Sequence, residues 1–193
     1  MSEMIHWPTR LDEMVDFVGL SEEDRQRIKA SAPIILRHAR RLTDALYSHF
    51  LHYPDARQFF VNDDDEPDEK RLESNKQTMI SWLRATATAP KNEGFARYLA
   101  GTSQMHVNIP IHRPSLGPVP PRYIIGAISY YQTAIADLLS EHMSDATQAS
   151  RTSVAWNKWL MAGLELLLAN YLSDDQKHEP GRPPAQRAPL TRH

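Results

Sequence analysis

At 193 residues the chain can bury a substantial core, and its length suits a single domain. With 22 Lys and Arg against 24 Asp and Glu, the formal net charge is −2, so neither nucleic acid nor an anionic membrane is an expected partner. The chain has no cysteine, which excludes disulfides, zinc–thiolate and iron–sulfur centres and thiol catalysis.

The N-terminal residues, Met1 to Trp7, show no basic stretch leading into an apolar run, so no signal peptide is expected. The longest apolar run, Leu164 to Ala169, is interrupted by Glu165 and is too short to span a bilayer. A soluble, cytoplasmic protein is the expectation.

Helix then follows helix. Ser21-Glu22-Glu23-Asp24 opens one, with acids in the first turn, where the macrodipole favours them. Pro33 reads as a first-turn residue of a new or restarted helix to about Leu51, with Leu36, Leu42, Leu46, Tyr47 and Phe50 at helical spacing. Pro54 starts a short piece ending in Phe59-Phe60, and residues 62–68 form an acidic, solvated loop. An amphipathic helix is predicted over 69–85, carrying Leu72, Met79, Ile80, Trp82 and Leu83.

A further helix, 94–105, delivers His106 at its end, and a proline-dense loop follows. The two longest helices come last. The first covers 122–143, with Ile124, Ile128, Tyr131, Ile135, Leu138 and Leu139 on a broad apolar face. The second is capped by Ser144-Asp145, runs to about Leu172 and contains Trp156 and Trp159. Glycine is scarce and no hairpin turn pair separates alternating runs, so no sheet is expected and the fold class is all-α. There is no internal repeat. Beyond Ser173 the composition turns to Pro, Arg, Gln and His, which offers almost nothing to bury and predicts a disordered tail.

His106 is the most informative residue. A histidine fixed at the end of a rigid helix, among otherwise apolar helices, suits an axial ligand to a planar cofactor, because neutral imidazole binds iron through one ring nitrogen. Taken alone, it reads more often as a dipole-stabilised or surface residue than as a ligand. Tyr47 alone reads as a core tyrosine, and Phe59, Phe60 and the methionines as core filler. His38, His49 and His52 share one predicted helix without a third ligand, and read as surface or interface residues. The Asp63–Glu66 run lacks the glycine and closing glutamate of a calcium loop.

Four segments in order carry a resemblance: residues 16–24, residues 46–54 followed by Phe59-Phe60, residues 98–107, and residues 120–127. Together they resemble the sensor-globin branch of the globin superfamily, the haem domain of globin-coupled sensors and protoglobins. The resemblance implies an all-α globin fold with a short additional N-terminal helix. Residues 1–20 would then be the pre-globin segment, 21–173 the haem domain and 174–193 the tail.

It further implies haem b, with His106 as the iron ligand and Tyr47 as the distal tyrosine, whose hydroxyl donates a hydrogen bond to a dioxygen ligand. Phe60 takes the place of the aromatic at the porphyrin edge. Met79 and Leu83 cover the distal side, and Met105, Ile124 and Ile128 form proximal and rear walls. His112, in a connecting loop longer than that of globin-coupled sensors and nearer the protoglobin length, competes as ligand or contacts a propionate. His106 is preferred, since it stands at a helix end with the family's spacing from Tyr98.

The expected function is binding of a diatomic gas, dioxygen first, with carbon monoxide and nitric oxide as alternative ligands. The chain reads as a single-domain oxygen sensor without its own output domain, signalling to a partner protein or through a homodimer. The apolar surplus of the last two helices, Trp156 and Trp159 included, points to them as the dimer contact. Other readings remain open: a haem enzyme acting as a nitric oxide dioxygenase or weak peroxidase, or a haem-free globin-like scaffold.

Overall fold

The computed structural model describes residues 6–108 and 114–175. Eight α-helices occur among them: α1 (Trp7–Phe17), α2 (Glu22–Arg37), α3 (Ala39–His52), α4 (Pro54–Arg57), α5 (Glu69–Ala87), α6 (Glu93–Val107), α7 (Pro121–His142) and α8 (Ala146–Asp175). A single 3-10 turn at Pro114–Leu116 precedes α7. The only β feature among the described residues is one bridge, Val61 to Pro67, at the neck of the acidic loop. The fold is all-α, as the periodicity predicts.

The helix starts follow from local chemistry. Ser21 and Asp24 form a reciprocal capping box on α2, each side chain accepting from the other's backbone N–H. Asp68, Asn92 and Asp145 accept from the first free amides of α5, α6 and α8. Between α1 and α2 the chain turns through Gly19, whose φ of +64° lies where side chains are strained.

One boundary differs from the sequence reading. Pro33 starts no helix; it lies inside α2, and the break comes at His38. Pro33 is on the exposed face, so water can satisfy the carbonyl one turn back that its missing N–H leaves free.

α8 is the centre of the molecule. α7, α6, α2 and α1 all pack against it, while α3 packs on α5 and α7, and α5 on α2 and α3. This burial corrects the expected surplus. Trp156 and Trp159 are each only 1% exposed. Their indole N–H groups donate to Ser31 Oγ and to the Thr86 carbonyl, both at 2.9 Å. Both rings are therefore consumed by the chain's own core, because a helix flanked by four others buries apolar residues around most of its circumference.

α6 belongs to a separate packing group from α3 and α5. It packs on α1 and α8 and has no comparable packing against α3, α5 or α7. That division positions the site.

Candidate functional site

His106 occupies the last turn of α6. The helix is fastened to α8 at several heights. Phe95 stacks on Trp159 with ring centroids 5.2 Å apart, and Leu99 fits beside Gly163. Asn170 Nδ2 donates to the Ala100 carbonyl at 3.3 Å. Beyond His106 the chain is drawn back: the Val119 amide donates to the His106 carbonyl at 3.0 Å, and the Tyr171 hydroxyl donates to the Val119 carbonyl at 2.5 Å. The backbone of this histidine is thus gripped from both sides of the loop.

Nδ1 of the imidazole is enclosed and makes no well-formed hydrogen bond, its backbone partner being Thr102 one turn back, which pulls the pKa upward. Burial dominates and holds the pKa below the ordinary histidine value, so the ring is neutral at physiological pH. Nε2 is not among the sealed, unpaired atoms. A half-buried, neutral imidazole at the end of a packed helix, with Nε2 available, has the chemistry of a metal donor.

Tyr47 lies on α3 and is 6% exposed. Its ring meets Phe50 and Phe60 edge-on at 5.8 and 5.4 Å, and Phe50 stacks on Phe60 at 5.7 Å. Tyr123, at the start of α7, closes the cluster against Phe50 and Phe59. The Tyr47 hydroxyl forms no hydrogen bond among the described residues, in contrast to Tyr131, whose hydroxyl lies 3.1 Å from Thr43 Oγ1. Burial raises the Tyr47 pKa far above the ordinary phenol value, with Tyr131 adding to the shift, so Tyr47 keeps its proton. It is an O–H donor without an acceptor.

The remaining predicted site residues are placed unevenly. Leu83, Ile124 and Ile128 sit in the core, with Leu83 fully enclosed, and Met79 packs against the same core half-buried. Met105, beside His106, is 62% exposed. His112 lies outside the described residues, as do residues 176–193 of the predicted tail. Phe50 and Tyr123 join the Tyr47 cluster although sequence reasoning assigned them no site role. The available signal was Phe50's position one helical turn after Tyr47. The open cleft of about 420 Å³ between α2 and the start of α8 is lined by Arg27, Ile34, Met143 and Thr152 and is remote from both groups.

The model of the Protoglobin family matches residues 8–177. The chain belongs to the Protoglobin family. No curated protein gives a significant match. Solved structures add the fold. The globin domain of a Geobacter sulfurreducens globin-coupled sensor superposes with a TM-score of 0.70 at 17% identity, covering 83% of this chain and 96% of that one. The globin domain of Escherichia coli DosC, in ferric form, superposes with a TM-score of 0.63 at 15% identity, covering 83% and 99%. Its ferrous form gives 0.62 at 15% identity with the same coverage.

Membership in a globin family brings haem as the family cofactor, and the protoglobin residues here meet its needs. The half-buried imidazole has Nδ1 enclosed beside the Thr102 backbone, which leaves Nε2 as the nitrogen a metal could take, and the Tyr47 hydroxyl, on a helix without comparable packing against α6, has no hydrogen-bond partner among the described residues. No helix among the described residues is long and apolar enough to cross a membrane.

Proposed function

We propose that this protoglobin holds one haem b through His106, with Tyr47 as the donor for a diatomic gas, dioxygen first. The observation that carries the reading is the half-buried His106 imidazole, held neutral by desolvation and with Nδ1 enclosed, on a helix bolted to α8. When bound, the haem would supply an iron able to take the gas.

The chain's own residues set how that gas is held. The Tyr47 hydroxyl offers a hydrogen bond to a ligand that acquires partial negative charge, worth roughly 1–3 kcal/mol for such a charge-assisted bond. Phe60, with Phe50 and Tyr123 around it, keeps water from competing for that hydroxyl. Met79, Leu83, Ile124 and Ile128 contribute apolar wall, with Met105 at the rim.

Sensing is the proposed role, and it is supported by the fold shared with two globin domains, one of them described as belonging to a globin-coupled sensor. A homodimer through α7 and α8 remains part of the proposal. With the tryptophans internal, its apolar contact would fall to Val154 and Met161, which stand exposed on α8.

Reconstitution with haemin tests the core of the proposal. One haem per chain is expected, with ferric, ferrous and carbon monoxide-ferrous absorption spectra of a histidine-ligated globin. Failure to take up haem would leave the haem-free scaffold as the standing reading. Sedimentation is expected to show a dimer that Val154→Asp dissociates; a monomer at high micromolar concentration rejects that part alone.

A further inference from the structure

His38 and His142 are 104 residues apart in sequence and adjacent in space. His38 is the hinge residue between α2 and α3, and His142 is the last residue of α7. Their ring centroids are 5.0 Å apart, and the two Nε2 atoms face each other at 3.4 Å. That separation is at the long end of hydrogen-bond reach. It matches the spacing of two nitrogens on one tetrahedral zinc, about 3.4 Å when each bond is about 2.0–2.1 Å.

The tautomer of His142 leaves its Nε2 open to a metal. His142 Nδ1 lies 3.0 Å from the Leu138 carbonyl, which can only accept, so Nδ1 carries the proton and Nε2 of the neutral ring presents its lone pair. Partial desolvation and the positive charges of Arg41 and Arg37, with His142 adding to them, hold the His38 pKa below the usual value; Glu141 opposes them. The Glu141 carboxylate, 3.9 Å from His142 Nδ1, offsets part of the arginine charge beside the pair.

We propose that His38 and His142 form a bis-imidazole site for a borderline divalent transition-metal ion, zinc or copper(II), with water completing the coordination. Imidazole selects this class over calcium and magnesium, which take oxygen ligands. Among the described residues no cluster of three ligating side chains exists, so the site is open and exchangeable. An occupied site ties the α2–α3 corner to the end of α7, and thereby braces α3, nine residues before Tyr47. The proposal does not depend on haem.

The test uses the full chain after chelator treatment, titrated with zinc by calorimetry and with copper(II) under electron paramagnetic resonance. Wild type is expected to bind one zinc whose affinity falls at least tenfold in His38→Gln and equally in His142→Gln. The double variant should lose the site altogether, because both ligands are then gone. His49→Gln, on α3 but outside the pair, should bind as wild type. The copper spectrum should report two coordinated nitrogens in wild type and one in each single variant. Circular dichroism checks that each variant is folded. No zinc binding by wild type, affinity unchanged by either substitution, or wild-type affinity kept in the double variant would overturn the proposal.

Discussion

The helix that carries His106 and the helix that carries Tyr47 are held in different ways. α6 is fastened by buried contacts: the Phe95–Trp159 stack, the Asn170 bond to Ala100, and the Tyr171–Val119–His106 chain behind the imidazole. α3 is held by buried Leu42 and Leu46, by the Thr43–Tyr131 hydrogen bond, by aromatic edges around Tyr47 and, in addition, by exposed charge. Arg40 bonds Asp44 at 2.8 Å and grips Glu73 on α5 with both terminal nitrogens, and Lys76 lies 2.9 Å from Asp44. Buried polar contacts are short-ranged and insensitive to salt, whereas surface ion pairs weaken as salt is added. Salt should therefore act on the seat of α3 more than on that of α6.

Breaking the α6 side should have the larger effect on folding. Trp159→Ala removes the ring under Phe95 and one of the two donors to the Thr86 carbonyl, the Ala89 amide remaining, a loss of about 3–5 kcal/mol for a buried aromatic. Chemical denaturation should show it. Hydrogen exchange at equal fractional unfolding should show α6 losing protection before α3. Uniform loss across both helices would mean that α6 has no separate anchorage.

Tyr47→Phe sharpens the contrast from the other side. The ring contacts with Phe50 and Phe60 survive and no internal hydrogen bond is lost, so stability and haem content should hold. Loss of the donor should raise the dioxygen dissociation rate about ten- to a hundredfold, the equivalent of roughly 1–3 kcal/mol. Carbon monoxide gathers little charge, so its dissociation should barely change. Stopped-flow measurement of both gases decides, and equal shifts would make Tyr47 a packing residue.

Much of this contrast was legible in the sequence. The Ser21–Asp24 cap, the order of the helices and the placing of His106 at a helix end all follow from local chemistry. The pairing of Tyr47 with His106 came from the order of four segments, since neither residue alone tells a ligand site from a core. Trp156 and Trp159 misled because periodicity reports an apolar face without saying which neighbour covers it. On α8 the answer was α2, α5 and α6 of the same chain. Pro33 misled because a proline on a solvated face is tolerated within a helix. The meeting of His38 with His142 rests on tertiary packing alone, and no local pattern announces it.

Acid should act on the His106 side. Its folded pKa is lowered, so the unfolded chain binds more protons in the window just below 6.5. The imidazole's contribution is complete above that value and is lost as pH falls through the folded pKa. Stability of the haem-free chain to denaturant should fall across that window in wild type. A profile flat from pH 7 to 5 would show that the His106 proton does not matter.

Smaller effects test the fastenings. Tyr171→Phe removes one hydrogen bond at the loop, about 0.5–1.5 kcal/mol, and should speed haem loss without altering the dioxygen rate. Arg40→Ala should change stability least, and its effect should vanish at high salt. A salt-independent effect there, or a salt-sensitive one at Tyr171, would invert the two descriptions.

The central claim is that His106 supplies the iron's protein ligand, and His106→Gly with added imidazole tests it most directly. The account predicts that the variant folds but takes up no stoichiometric haem, and that free imidazole restores the wild-type ferrous and carbon monoxide spectra. His112→Ala should be spectrally wild type throughout. Full haem content with an unchanged spectrum in His106→Gly, or loss of haem in His112→Ala, would contradict it.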